Sequence, residues 1–411
     1  MPVPAVTAEA KELGFDADRL ARITKHFKAY VDDGRLPGWL IAVSRHGETP
    51  YLETYGQRDM ESGAPVELDT VFRFYSMSKP ITSVAAMILF EEGKLELTDP
   101  VSKYIPSFGD TRVYLKGPAT NPATVAQAQP MTIHNLLTHT SGLTYGFVYA
   151  NGIDHLYRQA GFEWGTPAGM DLEGACDVWA SIPLLFQPGT EWNYSVSTDV
   201  LGRVVEVVSG QSLGEFVEQR ICTPLGMSDT SFWCNDDQAD RFATLYMPAP
   251  GTRKAVVLPA LGGRGSAAPV FLGGGGGLVG TAYDYMRFSQ MLLNNGVLDG
   301  VRILGSRTVD YMGRNHLPGN KDLEEIGRPL FSETTFAGTG FGLGFSVVID
   351  PVKAKNLCSL GEMAWGGAAS TAFWVDRKEG ITGLFLTQLL PSSTWPIRAE
   401  LRKLVYAALV D

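Results

Sequence analysis

The chain has 411 residues, a formal net charge of −10, 45% hydrophobic residues and 19% charged residues. That length is enough for two or three domains and a large core, with the balance of an ordinary soluble globular protein. The acidic charge argues against nucleic-acid binding, which needs a basic face, and no stretch is long and apolar enough to span a bilayer.

The first residues show no basic region followed by an apolar run, so no signal peptide is expected and the expected compartment is the cytoplasm. The four cysteines, Cys176, Cys222, Cys234 and Cys358, have no CxxC spacing and read as buried free thiols rather than a disulfide framework. Residues 16–33 read as an amphipathic helix with Leu20, Ile23, Phe27 and Val31 as its stripe and Gly34 as its stop. Strands over 39–43 and 51–55 follow, joined as an antiparallel hairpin across 46–50. A helix then runs from about residue 76, with Ile81, Val84, Ala85, Ile88 and Leu89 at helical spacing and Gly93 beyond its end.

Residues 101–105 form a short helical turn, and 106–130, rich in Pro, Ala, Thr and Gly, read as a long loop. Thr132 caps a short helix that turns Ile133, Leu136 and Leu137 inward. A helix spans 199–208, and Ser212 with Glu215 makes a capping box for the next one. The run Phe271-Leu-Gly-Gly-Gly-Gly-Gly-Leu-Val-Gly280 cannot be helical; it suits backbone passing close to another backbone or a ligand. Thr281 caps a helix through Leu293, with Asp284 at its third position. Strands return at 344–349, 370–375 and 381–388, and a helix over 397–409 closes the chain. The expected architecture is therefore an α/β domain from residues 1–75 and 285–411, its antiparallel sheet flanked by terminal helices. A mainly helical domain, 76–284, is inserted, with a cleft where the two meet.

The chemistry centres on Val71-Phe-Arg-Phe-Tyr-Ser-Met-Ser-Lys-Pro80, which holds Ser76 and Lys79 at a helix start. Residues three apart share a helix face, so the Lys79 amine reaches the Ser76 hydroxyl. A serine becomes a useful nucleophile once a neighbour takes its proton, and a lysine with a depressed pKa does this. Alone the pattern is not specific, since a chain this long holds roughly one by chance. The same residues also read as a capping serine and a solvated lysine.

Three further stretches give it context. In Pro188-Gly-Thr-Glu-Trp-Asn-Tyr-Ser-Val196, Tyr194 is either a partner base for Ser76 or a packed aromatic. In Ala364-Trp-Gly-Gly-Ala368, the glycines let a strand edge lie against a substrate, with the N–H groups of Ala368 and Ser76 as an oxyanion hole; a β-bulge is the other reading. His139-Thr-Ser-Gly-Leu143 reads as a helix end and a turn, with no chemistry assigned.

Together, in this order and over about residues 15–405, these motifs resemble the serine β-lactamase and penicillin-recognising superfamily. More narrowly the chain resembles the family VIII carboxylesterases, esterases related to class C β-lactamases. The resemblance implies a β-lactamase-like two-domain fold. It implies Ser76 as the acyl-forming nucleophile, Lys79 as proton acceptor and orienter, and Tyr194 as the base that returns a proton to the leaving group. Trp365, Gly366 and Gly367 then stand where the lactamases have Lys-Thr-Gly, and Val196 where class C enzymes have Asn. Two polar handles for a charged amide are thus apolar here, which points to uncharged, apolar esters.

Tyr75, Phe147 and Trp192 are candidate pocket residues beside Trp365, Gly366 and Gly367; Phe74 and Tyr149 flank the motifs too. The expected function is a serine carboxylesterase for small to medium esters, with no cofactor, metal or membrane partner. The rivals are an acyltransferase, a D-aminoacyl amidase or peptidase, a weak β-lactamase and a catalytically silent binding protein. Gly210-Gln-Ser-Leu-Gly214 matches the nucleophile elbow of α/β-hydrolases but follows a helix, and Ser212 already serves as a cap. His134 and His139, five apart, lie on different helix faces and make no metal pair.

Overall fold

The computed structural model describes residues 3–259, 267–328 and 336–410. Strands from early and late in the chain meet in one eight-stranded antiparallel sheet. The early strands are β1 (Gly38–Arg45), β2 (Glu48–Asp59) and β3 (Ala64–Pro65). The late ones are β4 (Thr339–Phe341), β5 (Ser346–Val348), β6 (Met363–Gly366), β7 (Ala372–Asp376) and β8 (Ile381–Leu386). Their order is β4-β5-β6-β7-β8-β1-β2-β3, so the two halves join where Leu40 faces Leu386 and Ile41 faces Phe385. The β1–β2 turn needs only His46 and Gly47, both at positive φ (53° and 89°), which is shorter than the five-residue turn expected.

β1 is buried along its whole length. Side chains alternate across a strand, so Trp39, Ile41 and Val43 face one layer while Leu40 and Ala42 face the other. On the first side lie helix α1 (Ala17–Asp32), capped by Asp16, and helix α6 (Ile397–Tyr406). They contribute Leu20, Ile23 and Phe27, and Ile397, Leu401 and Val405. Burying each such side chain is worth about 1.5–3 kcal/mol. On the other side lie α2 (Ser78–Glu91) and α5 (Ala282–Leu293), in a hydrophobic cluster that continues into the helical middle of the chain. α5 spans the boundary placed at 284/285 and packs on β7 and β8.

The middle contains α3 (Ile133–Leu137), capped by Thr132 with Asn135, and α4 (Ser197–Ser209), which starts two residues earlier than expected. The expected loop over 106–130 carries local structure: a 3-10 turn at Pro106–Asp110 and a two-stranded ladder of Val113–Lys116 with Ala123–Val125. Those strands are too short to show a period in the sequence. Thr281 accepts the Asp284 N–H at 3.5 Å, but the Asp284 carboxylate turns away to accept from the Asp229 N–H and the Thr230 hydroxyl, both at 2.8 Å. No helix among the described residues is long and apolar enough to cross a membrane.

Candidate active site

Ser76 sits in a 3-10 turn, Tyr75–Met77, just ahead of α2 rather than inside it. Tyr75, which precedes it, has φ 46°, a left-handed conformation that a bulky residue adopts only when its surroundings impose it. The turn is held by the glycine run and by the helix that follows it. The Phe74 N–H donates to the Leu278 carbonyl at 3.0 Å, the Ser78 hydroxyl accepts from the Leu278 N–H at 3.0 Å, and the Tyr285 hydroxyl donates to the Met77 carbonyl at 2.9 Å.

Lys79, in the first turn of α2, is 1% exposed. Its ammonium donates to the Gly275 carbonyl at 2.6 Å, the Tyr145 hydroxyl at 3.0 Å and the Ser76 Oγ at 3.3 Å. Three acceptors match the three protons of an ammonium. The Gly275 peptide links this cation to a buried carboxylate, because its N–H donates to Asp199 Oδ1 at 2.9 Å. Burial raises the Asp199 pKa and the nearby Lys79 charge pulls it back down. Only glycine fits here: a Cβ on residue 275 would lie 2.6 Å from Asp199 Oδ2 and 3.0 Å from the Tyr145 hydroxyl. The expected close approach of backbone in this run is thus the seat of the lysine.

Tyr194 lies beside Lys79 through its ring face. The ammonium stands over its ring, 4.5 Å from the centroid, while the phenol hydrogen-bonded to Lys79 is Tyr145. The Tyr194 oxygen accepts instead from the indole N–H of Trp365 at 3.3 Å. Trp365, an apolar replacement for a lysine in the sequence reading, therefore keeps one donor in the site. Tyr145 is the residue the sequence did not give away. It follows the His139-Thr-Ser-Gly-Leu143 stretch by two positions, in a segment to which no chemistry was assigned. Burial, Asp199 and Tyr194 all push its pKa well up, so it stays a neutral phenol.

His139 supports this floor from below. It is 1% exposed, its ring centroid is 5.0 Å from that of Tyr194, and its Nδ1 meets Ser195 Oγ at 3.2 Å. Burial and the Lys79 charge push its pKa well down, keeping it neutral.

Above the floor opens a cavity of about 650 Å3. Ser76, Tyr75, Phe147, Tyr194, Val196 and Trp365 line it, together with Gly366, Gly367 and Ala368. The strand end is pressed onto the serine turn: the Gly367 N–H donates to Thr371 O at 2.9 Å and Thr371 Oγ1 at 3.1 Å, and a Cβ on Gly367 would clash with the Phe74 carbonyl. Ser76 and Ala368 thus share one cavity, as an oxyanion pair requires.

Three aromatics lie elsewhere. Trp192 is 1% exposed and does not line the cavity, because Tyr194, whose ring stacks on it at 6.2 Å, stands between. Phe74 is buried against Tyr285, and Tyr149 is exposed, its hydroxyl on Glu163. Ser212 accepts the Glu215 N–H at 3.2 Å and donates to its carboxylate at 2.8 Å, as a cap does. His134 Nε2 meets His316 Nδ1 at 3.2 Å, and no group of three His, Cys, Asp or Glu among the described residues is placed to hold a metal ion.

A family model described as beta-lactamase matches residues 23–407. Esterase EstB of Burkholderia gladioli is 33% identical, over 98% of this chain and 99% of its own length. The lovastatin esterase of Penicillium rubens is 30% identical, over 92% of this chain and 95% of its own. Among solved structures, EstCE1, a hydrolase with promiscuous acyltransferase activity, superposes with a TM-score of 0.78 at 29% identity, covering 95% of this chain and 99% of its own.

Proposed function

Because the chain belongs to the beta-lactamase family, we propose that it is a serine carboxylesterase acting on small to medium apolar carboxylic esters. The observation that carries this reading is the buried Lys79 ammonium on Ser76 Oγ at the floor of an aromatic-lined cavity. In the proposed route, Ser76 Oγ attacks the ester carbonyl and its proton passes to the Lys79–Tyr194 pair. The N–H groups of Ser76 and Ala368 hold the oxyanion. The tetrahedral intermediate collapses, the C–O bond to the alcohol breaks, and the same pair returns the proton to the leaving oxygen. Water then attacks the acyl-enzyme, gives up a proton along the same path, and the acid leaves as Ser76 recovers its hydrogen. The apolar Val196 and Trp365 on the cavity wall favour an uncharged ester over a carboxylate-bearing lactam.

A second reading shares the first half of this route. An alcohol in place of water would make the protein an acyltransferase, the side activity of EstCE1. Competition between water and an added alcohol separates the two.

The decisive comparison is kcat/KM on p-nitrophenyl butyrate for the wild type and Ser76→Ala. The expected loss is roughly three orders of magnitude or more. Activity that survives puts the nucleophile elsewhere and withdraws the reading.

A further inference from the structure

Two runs of aromatic rings rise from the floor of the cavity. In the first, Tyr145 stacks on Phe147 at 4.6 Å and 20°, and Phe147 on Trp164 at 4.6 Å and 14°. In the second, Tyr194 leans on Trp365 at 5.4 Å, and Trp365 stacks on Phe336 at 6.4 Å and 24°. The runs meet at the bottom, where Tyr145 and Tyr194 are 5.4 Å apart and Lys79 Nζ lies 5.4 and 4.5 Å from their centroids. All six rings line the same cavity as Ser76.

We propose that this cavity selects esters bearing a flat aromatic group over esters bearing a saturated group of the same size. The inference rests on the esterase reading and names its substrate class. A hydrophobic pocket alone does not demand flatness; aliphatic walls serve saturated and aromatic groups alike. Here the walls are ring edges and faces in ordered stacks, and a further ring gains directional stacking or edge-to-face contact with them, which a puckered ring does not. The space is also far larger than a butyrate ester needs, within the range of about 300–1,000 Å3 usual for drug-sized ligands. Trp164, at the outer end of the first run, is 42% exposed, so a group bound there can extend beyond the floor without disturbing Ser76.

The test uses a matched acyl pair: methyl 3-phenylpropanoate against methyl 3-cyclohexylpropanoate, which share the saturated acyl chain and the number of heavy atoms. The expected preference for the phenyl ester in kcat/KM is about tenfold, from ring contacts worth roughly three- to tenfold each. Because the ratio is taken within one enzyme, a general loss of activity cancels. In Trp164→Ala and Phe336→Ala the ratio is expected to fall toward one. Calorimetric binding of 3-phenylpropanoate and 3-cyclohexylpropanoate to Ser76→Ala reads the same discrimination without turnover. Equal kcat/KM values in the wild type together with equal affinities overturn the inference and leave the esterase reading standing. Failure to cleave either ester, with no fluorophosphonate labelling of Ser76, overturns the esterase reading, and the binding ratio still decides whether the cavity prefers flat groups.

Discussion

Lys79 is the residue on which the others depend. It is buried, its amine meets three hydrogen-bond partners, and Gly275 joins it to Asp199 through its carbonyl on one side and its N–H on the other. Two phenols touch it, one through its hydroxyl and one through its ring face. In the proposed route Tyr145 holds the lysine and Tyr194 carries the proton for the ester. Tyr145→Phe removes one hydrogen bond to a charged group, worth about 1.5–3 kcal/mol, so kcat/KM on p-nitrophenyl butyrate is expected to fall about ten- to a hundredfold. Tyr194→Phe removes general acid–base chemistry and is expected to fall further, by up to about 10⁴-fold. Should Tyr145→Phe prove the more damaging, the two roles are exchanged. That Ser76 and Lys79 lie together was legible in the sequence because they are three residues apart, and Tyr194 joined them there only through the resemblance of the motifs. Tyr145 was not, because its place is set by a glycine loop more than a hundred residues later in the chain. Trp192 was misjudged because nothing in the sequence shows which side of Tyr194 faces the cavity.

At the scale of elements, the loop from Gly273 to Gly277 does the work of a socket. A socket built from backbone holds its carbonyl in place without side-chain entropy, but it tolerates no added atom where it touches its neighbours. Gly275→Ala sets a methyl group against Asp199 and Tyr145 and moves the carbonyl that holds Lys79. The expected result is at least a tenfold loss of kcat and a lower Tm, overpacking of this kind being worth about 1–3 kcal/mol. Wild-type activity and Tm in that variant would mean the loop shifts freely and is no socket. The glycine run announced a close approach in the sequence, but not its partner. The serine helix, the Ser212–Glu215 capping box and the terminal helices were equally legible, since each rests on residues a few positions apart. The ladder inside 106–130 was missed for the opposite reason: its pairing owes little to periodicity and much to packing against Leu184.

For the molecule as a whole, buried carboxylates make stability depend on pH. Burial raises the pKa of Asp199, Asp284 and Glu362, and that of Asp284 reaches about 6. A carboxyl whose pKa is raised on folding stabilises the fold most when protonated. For Asp284 that contribution is complete below the ordinary aspartate pKa of 3.8 and fades as pH climbs through about 6. The difference is on the order of 3 kcal/mol at its limit. Denaturant titrations of Asp284→Asn against the wild type between pH 4 and 7 are expected to show the wild type losing ground as pH rises. Parallel curves would mean Asp284 titrates alike in both states.

The junction of β1 with β8 has a consequence for synthesis. The Thr387 hydroxyl donates to the Gly38 carbonyl across 349 positions of chain. At about 5–20 residues per second, the ribosome takes roughly twenty seconds to a minute to deliver that partner. Until then one edge of β1, among the most apolar strands of the protein, stands open on the nascent polypeptide, and an open apolar edge invites pairing with other chains. The sheet therefore closes only after the strand around residues 381–386 has been delivered, and until then that edge of β1 is guarded only by whatever covers it.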